Sequence, residues 1–311
     1  MARRLKKHEV ELLRELADFR MLTFTQIAVL SGKSERSARR WKDHLVEDGF
    51  VEALPVSVSQ GLGRPEGVFG VSHEGLAALR SESALPKAAE FGQVGGQGLI
   101  HQASHQVLLN WCRIHLDHLT KALPRLNGDF LSSNSPFNLD RDLSGPVVRD
   151  FVPASEEAKP DEKCHFVPDG VFILTDSVET KSLLFFLEVD LDSEPLDSSE
   201  SGRAAIVRKI QTYQSYFACE RYKRYEETWQ VKLNGFRVLF VTLTGSRMTS
   251  LCRVIQSMPP SDFIWATCQD SMFTEGISGS IWARGGKHDV ARQSILGGLA
   301  MKAPIPELAV S

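Results

Sequence analysis

The sequence predicts an α+β protein of two domains, a small N-terminal helix-turn-helix module followed by a mixed α/β domain. Three observations point there. Residues 6–49 carry apolar positions at helical spacing in three short blocks separated by turn residues. The runs FVPDGVFIL and SLLFFLEVD are apolar, of strand length, and joined by the turn-forming TDSVETK. The chain has 311 residues, beyond the roughly 250–300 at which a single core stops growing.

Composition narrows the class. A hydrophobic content of 42% and a net charge of −3 describe an ordinary globular chain. No segment approaches the roughly 18 apolar residues of a membrane span, and the basic start MARRLKKHEVELL turns acidic and amphipathic. We therefore expect a cytoplasmic protein with no membrane partner. The five cysteines, Cys112, Cys164, Cys219, Cys252 and Cys268, are scattered and form no Cys-x-x-Cys pair, so free thiols are expected. Charge is unevenly spread. Residues 1–50 hold 11 Lys/Arg against 8 Asp/Glu, whereas residues 151–200 hold 3 Lys against 13 Asp/Glu. A basic module suits a polyanion; an acidic one is either solvated or holds cations.

Each element follows in order. Val10, Leu12, Leu13, Leu16 and Phe19 mark one buried face of a first helix. Thr23 or Thr25 can cap a short second helix that SGKS breaks. Ser34 is placed to cap a third, SERSARRWKDHLVEDGF, which Gly49 stops. Next come a Gly/Pro-containing turn, a strand VFGVS and a helix opened by Ser72. The Ala/Gly/Ser-rich residues 83–98 read as a linker, giving a first domain over 1–82 and a second over 99–284. The second domain opens with a long amphipathic helix, LIHQASHQVLLNWCRIHLDHL. Polar sequence with few regular signals runs to Lys163. Then come the hairpin, the helix GRAAIVRKIQTYQSYFACERYKRY, and a β-α-β unit ending in DFIWATC. Residues 285–311 read as a weakly structured tail.

Chemistry concentrates at the hairpin. Glu188 interrupts an apolar run just before its end, where an unpaired charge is expensive. Positions i and i+2 of a strand share a face, so Glu188 and Asp190 project together. If the hairpin pairs with its ends aligned, Asp169 comes beside them. Three carboxylates at one spot need a counter-charge. Mg²⁺, or Mn²⁺ in its place, supplies one, being held by one or two carboxylates plus water and phosphate. Such an ion would make Asp169, Glu188 and Asp190 metal ligands able to assist phosphodiester cleavage, and Lys209 could orient or deprotonate the attacking water. The bland alternative is a solvated strand edge, with Asp192 and Glu194 as surface residues of the loop beyond.

Three resemblances rest on this sequence. The first 80 or so resemble the winged-helix DNA-binding domains of bacterial regulators, in helix order, the DGFV exit, the Gly-Arg-Pro turn and the Ser-x-x-Gly helix start. The VPDG…FFLEVD pattern resembles the PD-(D/E)xK nuclease superfamily, which implies a restriction-endonuclease-like mixed α/β domain. More narrowly, a winged helix followed by PDGVFIL, FFLEVD and RKIQTYQSYF is similar to the replication-relaxation family of plasmids and mobile elements. That resemblance implies DNA binding in plasmid replication and relaxation, with a nuclease-like second domain. By the superfamily pattern, Asp169 and Glu188 would be metal ligands of a catalytic centre, and the expectation is a nickase or nuclease serving plasmid replication and relaxation, or defence. Asp190 stands where the superfamily pattern has Lys, and Lys209 is the residue that could replace that charge. The partners implied are double-stranded DNA and replication or mobile-element proteins. A non-catalytic DNA-binding factor, with the nuclease fold kept for homodimerisation or as a scaffold, is the competing expectation.

In the first domain, Ser34, Arg36, Ser37, Arg39, Arg40 and Lys42 crowd the expected recognition helix, where Arg can read guanine edges and the rest hold phosphates. Arg64 in the wing could reach the adjacent backbone or minor groove. All four tyrosines, Tyr213, Tyr216, Tyr222 and Tyr225, fall within thirteen residues, which raises a tyrosine-nucleophile relaxase against the blander roles of core packing and base stacking. His101 and His105, at i and i+4, could face the metal site or lie on a helix surface.

Overall fold

The computed structural model describes residues 5–59, 65–86, 89–140, 145–153, 163–191 and 200–297, and two units divide the chain. Residues up to Ile114 together with Ser132–Val147 make the first, and His115–Leu131 with residues from Val148 onward make the second. The division falls inside the long helix that the sequence assigns wholly to the second domain.

The first unit begins with α1 (Lys7–Phe19), whose Leu12, Leu13, Leu16 and Phe19 are buried on one face. A short strand β1 (Leu22–Thr23) leads to α2 (Phe24–Ser31). Thr23 is the cap: its Oγ1 accepts from the Gln26 N–H at 3.3 Å, and Gln26 Oε1 accepts from the Thr23 N–H at 3.1 Å. Gly32, left-handed at φ +60°, ends the helix. In α3 (Glu35–Glu47) Ala38 and Leu45 are buried. Ser34 precedes it without a side-chain capping bond; its hydroxyl meets Ser37 Oγ at 3.1 Å instead.

A hairpin follows, β2 (Val51–Val58) antiparallel to β3 (Glu66–Val71), and β1 joins the outer side of β3. The sequence reading anticipated β3 but not β2. Ser72 caps α4 (His73–Ser81), accepting from the Gly75 N–H at 3.0 Å.

Linker residues 89–98 are not free of this unit. Arg20, buried at 6% exposure, donates from Nη2 to the carbonyls of Gly92 (2.8 Å) and Gly95 (3.1 Å). Burial lowers its pKa to about 10. After α5 (Phe91–Val94) and a 3-10 turn at Gly96–Gln102 comes α6 (Ala103–Ala122). Its N-terminal half is tied to α1 and α2 by buried amides. Asn110 Nδ2 donates to the carbonyls of Met21 (2.6 Å) and Phe19 (3.2 Å), and Gln26 Nε2 donates to that of Val107 (2.9 Å). These bonds satisfy groups whose burial would otherwise be costly, and they attach α6 to the first unit.

The polar stretch after α6 holds short strands the sequence did not signal: β4 (Leu126–Ser132), β5 (Leu139–Asp140), β6 (Gly145–Pro146), β7 (Asp150–Pro153) and β8 (Lys163–Phe166). Then come β9 (Gly170–Asp176) and β10 (Lys181–Asp190), the expected antiparallel hairpin, with Leu187 opposite Gly170. Helix α7 (Glu200–Ala218), a 3-10 turn at Arg221–Lys223 and α8 (Arg224–Trp229) precede β11 (Phe236–Thr242). Helix α9 (Gly245–Gln256), β12 (Ile264–Cys268), α10 (Gln269–Glu275) and β13 (Ala283–Arg284) complete the order.

The main sheet of the second unit has strand order β13-β12-β11-β10-β9-β4 among the described residues. Strands β10, β11 and β12 run parallel, as the β-α-β connection through α9 requires, while β9 is antiparallel to β10 and β13 to β12. One sheet face carries Ile173, Leu184, Phe186, Val238, Phe240 and Ala266 against Ile210 and Tyr213 of α7 and Leu251 and Ile255 of α9. Beyond β13 the described part of the expected tail is packed: Ile295 is buried, and its carbonyl accepts from Arg237 Nη1 at 3.0 Å. All five cysteines are free thiols.

Candidate functional site

Alternation along β10 decides which side its acids face. Leu184 and Phe186 lie in the core between the sheet and α7, so Glu188, two residues on, enters the same layer. It is 2% exposed. Its Oε1 accepts from the Tyr213 hydroxyl at 2.5 Å and its Oε2 from Lys209 Nζ at 2.5 Å, both donors coming from α7 one turn apart. Burial pushes the Glu188 carboxyl pKa up, opposed by the Lys209 charge and assisted by that of Asp169. Burial works against the Lys209 ammonium, but Glu188 and Asp169 outweigh it, and its pKa is raised.

Asp169 stands just before β9, opposite the end of β10 as the register requires. Its Oδ2 accepts from the Val189 N–H at 2.8 Å. Asp190 goes elsewhere. Arg247, in the first turn of α9 and only 3% exposed, donates from Nε to Asp190 Oδ2 at 2.9 Å and from Nη2 to Oδ1 at 3.2 Å. This two-pronged pair neutralises both charges in a geometry suited to carboxylates. The Thr244 hydroxyl sets Arg247 by accepting its backbone N–H at 3.1 Å. Nothing in sequence spacing marked Arg247 or Tyr213 as partners of these acids, since each arrives through the packing of a helix on the sheet.

The carboxylates expected to converge on a cation are thus met largely by protein cations. Among the described residues, no group of three or more His, Cys, Asp and Glu side chains is placed to hold a metal ion. With Asp190 held by Arg247, the donors that remain for a divalent ion are Asp169 and Glu188. Two carboxylates suffice for Mg²⁺ only where water and a substrate phosphate complete the shell. The Glu188 oxygen concerned now bears Lys209, whose side chain is 41% exposed on a long flexible stem. Asp192 and Glu194 lie outside the described residues.

The tyrosines are core residues, each 2% exposed or less. Tyr213 donates to Glu188, and Tyr216 donates to Asp150 of β7. Burial, with the adjacent carboxylates, raises the pKa of both hydroxyls, and that of Tyr225 is pushed up to about 12. A buried phenol held neutral against a carboxylate is poorly disposed to attack phosphorus. His101 and His105 belong to the first unit, and the Glu188 cluster to the second.

In the first unit, α3 presents Arg36, Arg39 and Arg40 to solvent, with Ser34 exposed at its start and Ser37 half-buried. The Arg39 guanidinium rests 4.3 Å from the centre of the Phe24 ring. Lys42 is turned inward, 2.5 Å from Asp43 Oδ1 and 4.6 Å above the Phe69 ring. Arg64 lies outside the described residues. Among the described residues no helix is long and apolar enough to cross a membrane.

Comparison with protein-family models matches the one described as Replication-relaxation over residues 13–231. No curated protein matches the chain, and no solved structure matches it.

Proposed function

Because the chain belongs to the replication-relaxation family, with the role in plasmid or mobile-element replication or relaxation that membership carries, we propose that it acts by docking on double-stranded DNA through α3. The observation that supports this reading is the exposed row Arg36, Arg39 and Arg40 on a helix followed by the β2–β3 hairpin, the order of a winged helix. The start of α3 would enter the major groove, its arginines reading base edges or holding phosphates. In a fluorescence titration of the whole protein with duplex DNA, Arg36→Ala with Arg40→Ala is expected to weaken binding. The slope of log affinity against log salt should flatten by about one to two. Unchanged binding would move the DNA contact off α3.

A second reading gives the sheet domain a catalytic part: a restriction-endonuclease-like unit that nicks DNA in plasmid relaxation or defence. It is supported by the adjacency of Asp169, Glu188 and Lys209. These three residues would make up the centre, with Asp190 held apart by Arg247. Mg²⁺ or Mn²⁺, when bound by Asp169 and Glu188, would supply electrostatic stabilisation of a phosphodiester under attack. Lys209, released from Glu188, would stand where its ammonium could orient an attacking water or stabilise developing negative charge. Supercoiled plasmid incubated with the protein and either ion tests it. The reading expects nicked circles from the native protein and none from Glu188→Ala; supercoils left intact in both metals, or nicking by the variant, would sink it. Plasmid left supercoiled alongside intact duplex binding would favour a non-catalytic factor that uses the sheet domain as a scaffold or dimerisation module.

A further inference from the structure

The two donors on Glu188 are not equivalent. Tyr213 is 1% exposed and packs edge-on against Phe186 and Phe166, with ring centres 5.6 and 5.4 Å away. Burial and the Glu188 charge raise its hydroxyl pKa well above the ordinary value, so it stays a donor on Oε1 near neutral pH. Lys209 reaches Oε2 from the solvent side, with its own side chain 41% exposed and that of Glu188 only 3%. Its flexible stem can carry the ammonium back into water. Oε1 is thus fixed by the core, and Oε2 is the oxygen whose partner can change.

The acids around Lys209 are the ones a divalent ion would use. Burial disfavours its charged form, while Glu188, Asp169 and then Asp190 favour it. Arg247 already neutralises Asp190 at 2.9 Å, which leaves Glu188 and Asp169 as the acids the ammonium serves. An oxygen that accepts a 2.5 Å charge-assisted bond from an ammonium is a poor ligand for a second cation. A doubly charged ion a few ångströms from that ammonium would also be repelled by it.

We propose that Lys209 is the resident counter-cation of Glu188, and that a divalent ion enters this site only by exchange with it, so that the protein's own ammonium sets the ion affinity. The choice of a divalent ion rests on the nicking reading above. Exchange replaces one cation by another on a carboxylate whose second oxygen Tyr213 keeps in place. Glu188 is therefore never left buried without a counter-charge.

The test follows Mn²⁺ binding to the whole protein by the electron paramagnetic resonance of the free ion, and adds thermal melts with and without Mn²⁺. Lys209→Met keeps the stem and loses the charge. It should bind Mn²⁺ at least about tenfold more tightly than the native protein, and the ion should raise its melting temperature by more. Lys209→Arg keeps the charge and should bind as weakly as the native protein. Lys209→Gln, which retains a donor for Oε2, carries the comparison if the methionine variant fails to fold. Adding Glu188→Gln to Lys209→Met should abolish the gain, locating the ion at this carboxylate rather than at acids elsewhere on the chain. Equal affinity in the native protein and the uncharged variants overturns the proposal, as does a gain that survives Glu188→Gln or appears equally in Lys209→Arg. Equal affinity that Glu188→Gln lowers in the native protein leaves the metal reading standing without the exchange. If neither the native protein nor the uncharged variants bind Mn²⁺, the metal reading itself falls and the exchange with it.

Discussion

Glu188 is held by a lysine and a tyrosine from one helix, and breaking one partner is costlier than removing the whole arrangement. Lys209→Met leaves a buried carboxylate with only Tyr213 opposite. Loss of one partner from a fully buried pair costs about 3–5 kcal/mol; because Lys209 is part exposed, we expect about 2 kcal/mol by urea denaturation. Adding Glu188→Gln should recover most of that, and failure to recover would show that Lys209 stabilises by its stem rather than its charge. A pH effect follows from Asp176, at the end of β9. The Arg125 guanidinium, with the N–H groups of Val178 and Glu179, holds its pKa below the ordinary 3.8. A carboxyl lowered on folding adds stability above its unfolded pKa, and that stability is lost as pH falls through the folded value. Asp176→Asn should therefore lower the melting temperature near neutral pH and make it less dependent on acid than in the native protein. Parallel acid profiles for the two would refute the assignment.

At the scale of the element, α4 offers the clearest test. Ser72 Oγ accepts from the Gly75 N–H and also donates to the Gly49 carbonyl at 2.5 Å, tying the helix start to the exit of α3. Ser72→Ala should cost about 1 kcal/mol. Gly75→Ala should cost more, because a Cβ there would overlap the Phe50 carbonyl oxygen and press on Val71. If melting shows Ser72→Ala to be the worse of the two, the close approach of α4 to Phe50 is wrong. These elements were legible: Thr23, Ser72, Gly32 and the spacing of Leu12, Leu13 and Leu16 are local signals, and local geometry answers them. Strands β4 and β7 were not legible. LNGDFLS and DFVP have neither sustained alternation nor apolar runs, and they become strands only because a neighbouring strand accepts their hydrogen bonds.

For the whole molecule, the extent of the first unit is the main departure from expectation. Composition suggested a module ending near residue 82 and a linker to 98. The chain instead buries Arg20 under the Gly92 and Gly95 carbonyls and closes α1 and α2 with Gln26, Gln106 and Asn110. A fragment of residues 1–98 would expose the Phe19 and Met21 carbonyls and the apolar surface that α6 covers. We expect it to lack the cooperative thermal unfolding of the whole protein. A sharp transition in circular dichroism from that fragment would show that these residues fold without α6.

The sequence by itself determined the longer helices and the cap at Ser72, the β9–β10 hairpin and its aligned ends, and hence the meeting of Asp169 with Glu188, because these follow from periodicity, turn chemistry and strand alternation over a few residues. Only the tertiary structure decided what neutralises the acids. Lys209 and Tyr213 reach Glu188 and Arg247 reaches Asp190 because α7 and α9 pack on one sheet face. Arg221 and Arg224 meet Asp150 across about seventy residues. Counter-charges supplied over such separations depend on which surfaces the folded chain brings together, and no local pattern encodes that.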